Sequence, residues 1–327
     1  MTGGNGPGSR PTKTGRRPDS AFFPAVLLAA LALFSGFWPG GAGLAARPAP
    51  DRQSFPQEYP RGEAPADPKG AGGPPPEKGA GAPVVPVTVE HVAGRPQNHF
   101  TQGLLFYGNR LYESTGLYGQ SALHVFPASE LEQPGGLGTE VVLGLPEEVF
   151  AEGIAEADGV VYILTWREGV ILAVDPRAGL RVARTVFQPG EGWGLAYDGS
   201  FFWRSDGSDR LQKIDPGTLA PTGPPLLVRD GDKPVRQLNE LEWDPRSRLL
   251  LANIWHSDLV AAISLDDGRV RFYLDLGSFA KEERDALGAE ATANGLALDD
   301  RGRLWATGKL WPRVYRVSYE APGGSQR

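Results

Sequence analysis

The sequence predicts an all-β protein, a five-bladed β-propeller whose last blade is closed by the N-terminal strand, and three observations predict it. From Val84 onward, short runs of Val, Ile, Leu, Tyr, Phe and Trp alternate with turn signals such as "YGN", "ADG", "YDGS", "DPRS" and "DDRG", the pattern of strands joined by hairpins. A short unit of one polar or aromatic residue, then usually Gly, then Leu or Ile, recurs five times: Gln102-Gly103-Leu104, Glu152-Gly153-Ile154, Trp193-Gly194-Leu195, Asn239-Glu240-Leu241 and Asn294-Gly295-Leu296. Successive copies lie 50, 41, 46 and 55 residues apart, close to the length of a four-stranded propeller blade, about 40 to 50 residues.

Each unit opens a first strand, and a second follows after a turn: "RLYEST", "VVYILTW", "FFWRSDG", "RLLLANIW" and "RLWATGKLW". Third strands are read in "VILAVDP", "LQKIDP" and "RVYRVSY", and fourth strands in "TEVVLG", "RVARTVF" and "RVRFYLDLG". The last blade runs out of chain after its third strand, while "VVPVTVEHVAG" at residue 84 is a strand without a blade. It is expected to supply the missing strand, so that no sheet edge is left open to aggregation.

The chain divides into four parts. Arg10, Lys13, Arg16 and Arg17 precede an apolar run, "AFFPAVLLAALALFSGFW", and then small residues, so residues 1–46 read as a signal peptide or membrane anchor. The run over residues 21–38 is near the lower limit for spanning a bilayer, which leaves cleavage and anchoring both open. The flanks of Arg16-Arg17 match a twin-arginine signal poorly. Residues 47–83 form a Pro/Gly-rich linker expected to be disordered, 84–320 the propeller domain, and 321–327 a flexible tail. An exported protein, periplasmic or secreted, is expected, and a monomer.

Composition excludes several classes of function. Four basic groups and one acidic group leave with residues 1–46, so the formal charge of −6 becomes −9 and nucleic acid is not an expected partner. The chain has no cysteine, which removes thiol catalysis and Cys-ligated metals. Its histidines, at 91, 99, 124 and 256, lack metal-ligand spacing such as HExxH, so no metal site is expected.

In a propeller the first strand of each blade lines the central channel and the second returns beside it. Gln102, Glu152, Trp193, Asn239 and Asn294 should therefore ring one channel mouth with the second-strand ends Thr115, Trp166, Asp206, Trp255 and Lys309. A cup holding a carboxylate, an ammonium, amides and tryptophans suits a small polar ligand. Each member also has a plainer reading. The tryptophans can be inter-blade packing, the unit glycines can let the inner strands converge, and Lys309 can be an ion-pair partner. Asp206 in "SDGS" is best read as a turn-former. Glu152, next to Phe150, is the hardest to dismiss, because a desolvated carboxylate is costly unless it is used.

The stretches "FTQGL", "YESTGLYGQS", "FAEGIA", "LTWREG", "GWGLAYDG", "SDGSDRLQKIDP", "LNELEW", "ANIW", "NGLA" and "TGKLWP" resemble the glutamine cyclotransferase family of plant and bacterial type, in order, from about Val87 to Tyr319. The resemblance implies a five-bladed propeller that converts the N-terminal glutamine of peptides or proteins to pyroglutamate with release of ammonia. It also implies substrate-pocket roles for Phe100, Phe150, Trp166, Trp193 and Trp255, and catalytic roles for Gln102, Glu152, Asn239 and Lys309, with Glu152 as the essential carboxylate. Family members carry "HD" before "FTQGL" where this chain has "PQNHF", at the pocket edge.

That chemistry fits the residue types. A free α-amino group titrates near pH 8, so a base helps at neutral pH. A glutamate whose pKa burial has raised can take the amine proton and return one to the departing amide nitrogen. Gln102, Asn239 or Lys309 can hold the amide and stabilise the oxyanion, and no cofactor is required. Two other readings stay open from sequence: a metal-dependent, lactonase-like propeller hydrolase, and a non-catalytic propeller that binds envelope partners.

Overall fold

The structure, a computed structural model, describes residues 81–95, 99–323 and, as backbone, 325–326. The segment 1–46, nearly all of the linker 47–83, and Pro96, Gln97 and Asn98 of the "PQNHF" stretch lie outside the described residues.

Two strands precede the first blade, β1 (Val84–Pro86) and β2 (Thr88–Gly94). Blade 1 is β3 (Thr101–Tyr107), β4 (Arg110–Thr115), β5 (Ala122–Pro127) and β6 (Val141–Gly144). Blade 2 is β7 (Ala151–Ala157), β8 (Val160–Thr165), β9 (Val170–Asp175) and β10 (Arg181–Phe187). Blade 3 is shorter: β11 (Leu195–Tyr197), β12 (Phe202–Arg204), β13 (Arg210–Ile214) and β14 (Leu226–Leu227). A two-stranded ribbon follows, β15 (Arg229–Asp230) with β16 (Lys233–Pro234). Blade 4 is β17 (Leu238–Asp244), β18 (Leu249–Ile254), β19 (Leu259–Ser264) and β20 (Val270–Asp275). After helix α1 (Gly277–Leu287), blade 5 is β21 (Ala293–Leu298), β22 (Leu304–Gly308) and β23 (Arg313–Ser318).

The first strands touch one another in a closed cycle, β3 to β7 to β11 to β17 to β21 and back to β3, which makes them the lining of the channel. Five apolar clusters fill the five seams between blades. Ile154 with Leu123 and Val125 joins blades 1 and 2, Leu164 with Phe202 joins 2 and 3, and Trp203 with Leu250 joins 3 and 4. Leu251 with Leu304 joins 4 and 5, and Leu111 with Trp305 joins 5 and 1. Because each sheet is covered on both faces, inner strands such as β19, "LVAAIS", are buried at every position. The outer β10, "RVARTVF", is mostly exposed or half-buried.

The ring closes as the sequence predicts. β2 pairs antiparallel with β23, from Thr88 opposite Ser318 to Gly94 opposite Arg313, and becomes the fourth strand of blade 5. A second clasp is unforeseen: β1 pairs parallel with β20 as a fifth strand of blade 4, Val84 opposite Tyr273. The N-terminal segment therefore stitches two neighbouring blades. At the other end, Glu320–Ala321 pairs with Ser325–Gln326, so strand pairing reaches into the stretch expected as a flexible tail. Helix α1 is also new, and it buries Phe279, Ala280 and Glu283, with Phe279 stacked on Tyr315 at 4.3 Å between ring centroids.

The repeated unit has a shared local structure. In blades 1, 2, 4 and 5 the pairing of first and second strands slips across it, between Thr101 and Gly103, Ala151 and Ile154, Leu238 and Leu241, and Ala293 and Leu296. Such a bulge re-aims the side chain it carries. The unit glycines are required by close approach: a Cβ on Gly153 would lie 2.6 Å from the Leu195 nitrogen, and one on Gly194 2.0 Å from the Asn239 oxygen. Blade 4 carries Glu240 where the other units have glycine. Its carboxylate accepts the backbone N–H groups of Leu296 at 2.9 Å and Leu104 at 3.4 Å, tying blade 4 to blades 5 and 1.

Candidate active site

The bulges turn the unit side chains into one another. Asn294 Nδ2 donates to Gln102 Oε1 at 2.9 Å and to the Thr101 carbonyl at 2.9 Å. With its oxygen engaged, Gln102 presents its Nε2 to Glu152 Oε1 at 3.2 Å. The amide orientation follows from this network. Three of the five units thus form a relay ending on Glu152, whose residue surface is only 5% exposed.

Glu152 has few partners for a buried carboxylate. Burial pushes its carboxyl well above the ordinary glutamate range, Lys309 opposes that rise, and Glu168 and Glu191 add to it. Lys309 is itself 7% exposed, and burial pushes its ammonium below the usual lysine range against the pull of Glu152 and Glu290. The two interact through the site without a contact ion pair. Lys309 Nζ lies 4.8 Å from the centre of the Phe100 ring. Neither Lys309 Nζ nor the Asn239 side-chain amide hydrogen-bonds to another described residue. The Asn239 backbone carbonyl accepts Ser205 Oγ at 2.6 Å, which fixes the residue beside the Trp193-Gly194 unit, since Ser205 Oγ also accepts the Gly194 N–H.

An aromatic wall runs from this polar end around the mouth. Phe100 meets Phe150 edge-on at 6.4 Å, and Phe150 packs on Trp166 at 5.6 Å. Glu191 Oε2 then accepts both indole N–H groups, from Trp166 at 3.1 Å and Trp193 at 3.2 Å. Trp193 meets Trp255 edge-on at 5.6 Å. The five aromatic pocket residues expected from sequence therefore form one wall, with Lys309 against Phe100 at one end, while Asn239 is tied to it only through its backbone. Two second-strand ends do not join the wall. Thr115 turns outward to the Ala122 carbonyl and His124, and Asp206 is exposed and accepts from Ser208 N and Oγ in its own turn.

Three members escape the sequence reading. Glu191 orients two tryptophans, and Glu168 accepts the Tyr118 hydroxyl at 2.8 Å, while Tyr118 packs on Phe150 at 5.5 Å. Burial raises the Glu168 carboxyl, with the Tyr118 bond opposing. The available signal was proximity: Glu168 and Glu191 each stand two residues from a pocket tryptophan, in "LTWREG" and "GEGWGL". Among the described residues, one group of three His, Asp or Glu side chains brings its ligand atoms within 4.8 Å of one another, His99, His124 and Glu140. It lies outside the cup, and no such set converges within it.

A five-bladed propeller whose channel mouth holds a desolvated glutamate, a buried lysine and a tryptophan wall defines a class: small-substrate acid–base enzymes of propeller fold. A sequence profile of the family described as glutamine cyclotransferase matches residues 70–319. The glutaminyl-peptide cyclotransferase of Arabidopsis thaliana is 34% identical over 235 residues, 70% of this chain and 70% of its own length. The crystal structure of Myxococcus xanthus glutaminyl cyclase superposes with a TM-score of 0.65 at 32% identity, covering 74% of this chain and 99% of that one. The chain belongs to the glutamine cyclotransferase family.

Proposed function

We propose that the cup is the active site of a glutaminyl-peptide cyclotransferase, an acyltransferase that cyclises the N-terminal glutamine of peptides or proteins to pyroglutamate and releases ammonia. The observation that carries the reading is Glu152: buried, raised in pKa, hydrogen-bonded by the Gln102 amide, and coupled to Lys309.

In the reaction the substrate α-amino nitrogen attacks the side-chain carbonyl carbon, and the new C–N bond closes a five-membered lactam. The attacking nitrogen gives a proton to the Glu152 carboxylate. Glu152 then delivers one to the amide nitrogen, the old C–N bond breaks, and neutral ammonia leaves. A carboxylate with an ordinary pKa is too weak an acid–base partner near neutrality, and burial corrects this. Lys309 and the Asn239 amide, both without other described partners, are suited to donate to the oxygen that becomes anionic. Gln102, locked by Asn294, positions Glu152. The aromatic wall holds the flexible glutamine folded back for attack, where orientation is worth several kcal/mol.

The test is ammonia release from a short glutamine-initiated peptide by the full chain, with mass spectrometry following the peptide. The expected product has lost one NH3. A folded protein that releases no ammonia overturns the reading.

The same proposal includes export to the periplasm or exterior, supported by the basic stretch and apolar run at residues 10–38. Among the described residues no helix is long and apolar enough to cross a membrane. Fractionation with mass analysis of the mature N-terminus distinguishes a cleaved signal from an anchor through residues 21–38, and an intact cytosolic chain would refute export.

A further inference from the structure

The seam where the ring closes holds a second cluster of chemistry-bearing side chains. His99 lies between β2 and β3, His124 on β5 and Glu140 just before β6. The two imidazoles stack at 4.1 Å between centroids. Glu140 Oε1 lies 2.6 Å from His124 Nδ1 and 3.7 Å from His99 Nε2. We propose that His99 Nε2, His124 Nδ1 and Glu140 form a binding site for one divalent d-block cation of borderline softness, such as Zn2+.

The tautomers argue for it. Glu113 is buried, its carboxylate is ion-paired with the Arg95 guanidinium, and it accepts the Thr101 hydroxyl. A carboxylate only accepts, so the 2.9 Å contact from His99 Nδ1 is an N–H donation that leaves the lone pair on Nε2. That nitrogen is buried with no hydrogen-bond partner, in a residue only 6% exposed. A metal-ligating histidine characteristically has this arrangement, its other ring nitrogen anchored on a carboxylate.

His124 fits the same pattern. Its Nε2 meets Thr115 Oγ1 at 3.0 Å, and that hydroxyl can pass its own hydrogen to the Ala122 carbonyl. The Nδ1 lone pair then faces Glu140 Oε1, and two lone pairs at 2.6 Å require a proton or a cation between them. A proton there satisfies His124 but leaves His99 Nε2 unpartnered. A neutral His124 that donates from Nδ1 and accepts the Thr115 hydroxyl at Nε2 has the same outcome, with His99 Nε2 still lacking a hydrogen-bond partner. A cation satisfies all three atoms.

Donors and spacing suit zinc. Two imidazole nitrogens and a carboxylate oxygen with bonds of about 2.0–2.2 Å leave a fourth tetrahedral position for water. Ligand atoms in such a site sit roughly 3.4 Å apart; the three here lie within 4.8 Å of one another, so Glu140 swings off His124 and the stacked rings turn toward each other as the cation enters. The Glu140 side chain is 17% exposed, which gives an entry path from the rim. Ligand spacing in the sequence concealed the site, because His99 comes from the closure segment and His124 and Glu140 from two separate parts of blade 1.

The expected consequence is a pin on ring closure. Arg95, next to the closing strand, donates to Glu113 and to the Gly308 carbonyl. The His99 carbonyl accepts the Leu310 N–H at 2.6 Å, binding the connection to blade 5.

The test uses the untagged full chain, stripped with a chelator and titrated with ZnCl2 by calorimetry, with CoCl2 as an optical probe. One equivalent of Zn2+ is expected to bind, with a Tm that rises with free Zn2+, and Co2+ should give visible absorption typical of four-coordinate imidazole ligation. His124→Ala and Glu140→Gln should each weaken Zn2+ binding at least tenfold. No stoichiometric uptake, or uptake unchanged in both variants, would overturn the proposal and leave a hydrogen-bonded cluster. The wild-type cobalt spectrum decides the matter even where a variant fails to fold: absorption without imidazole character counts against the site. None of these readouts depends on cyclase turnover.

Discussion

Glu113 and Glu152 are both buried glutamates on inner strands of neighbouring blades, 1% and 5% exposed, yet they are driven in opposite directions. Glu113 has the Arg95 guanidinium, the His99 N–H at 2.9 Å and the Thr101 hydroxyl at 2.5 Å. These overcome burial and hold its carboxyl well below the usual range. Glu152 has one amide hydrogen at 3.2 Å and a lysine out of contact, so burial wins and its carboxyl rises. An opposite charge in contact, not depth, separates a permanent structural charge from a proton carrier. The stability consequences are opposite in sign. Glu113 contributes stability above the unfolded glutamate pKa, about 4.3, and loses it as pH falls toward its depressed folded value. Glu152 costs stability as pH rises from about 4.3 toward its raised folded value, because the unfolded chain ionises first.

The largest expected effect is on the proton carrier. Glu152→Gln should lower kcat by about 10²–10⁴-fold with an unchanged far-ultraviolet signal, and should raise Tm at neutral pH, because it removes a charge that burial penalises. Retained turnover would end the acid–base role, and a lowered Tm would show that Glu152 is structural like Glu113. The next effect is on the permanent charge. Arg95→Met strands Glu113 and should destabilise the fold by about 3 kcal/mol, read by urea unfolding, with a deficit that shrinks at acidic pH as Glu113 protonates. A near-neutral result would show that His99 and Thr101 suffice.

This contrast was only half legible in the sequence. The repeat exposed five blades, the closing strand and the glutamate beside Phe150, because a propeller repeats one local solution and inner-strand glycines mark where backbones converge. Glu113 lies inside "RLYEST" with nothing to distinguish it from an exposed strand residue, since its partners Arg95 and His99 come from the closure segment. The parallel clasp of Val84–Pro86 on blade 4 was hidden for the same reason: register between distant segments leaves no local period. Glu168, Glu191 and Tyr118 sit in loops, where side-chain direction follows from tertiary packing. The histidine cluster escaped because spacing rules find ligands on one element, whereas His99, His124 and Glu140 meet only after the blade folds.

A smaller effect separates the wall from the core. Trp193 is half-buried, donates to Glu191 and meets Trp255, while Trp305 is fully buried in the seam between blades 5 and 1. Trp193→Ala should raise KM about tenfold, equivalent to about 1.4 kcal/mol, with little change in Tm. An unchanged KM accompanied by a fallen Tm would move Trp193 into the class of Trp305.

The subtlest test addresses how the raised carboxyl of Glu152 is set. Glu168 stands near it as a like charge that adds to its rise, and Lys309 as an opposite charge that restrains it. Glu168→Gln keeps an oxygen for the Tyr118 hydroxyl and removes only the charge, so the acidic limb of the kcat/KM profile, which reports the base in the free enzyme, should move to lower pH. Lys309→Met should move the same limb to higher pH, on top of any loss in rate. The alkaline side, where the substrate amine is already neutral, should not follow either change. A limb that stays fixed in both variants would mean that the titrating group is not Glu152, and the contrast with Glu113 would lose its functional meaning while remaining true of the fold.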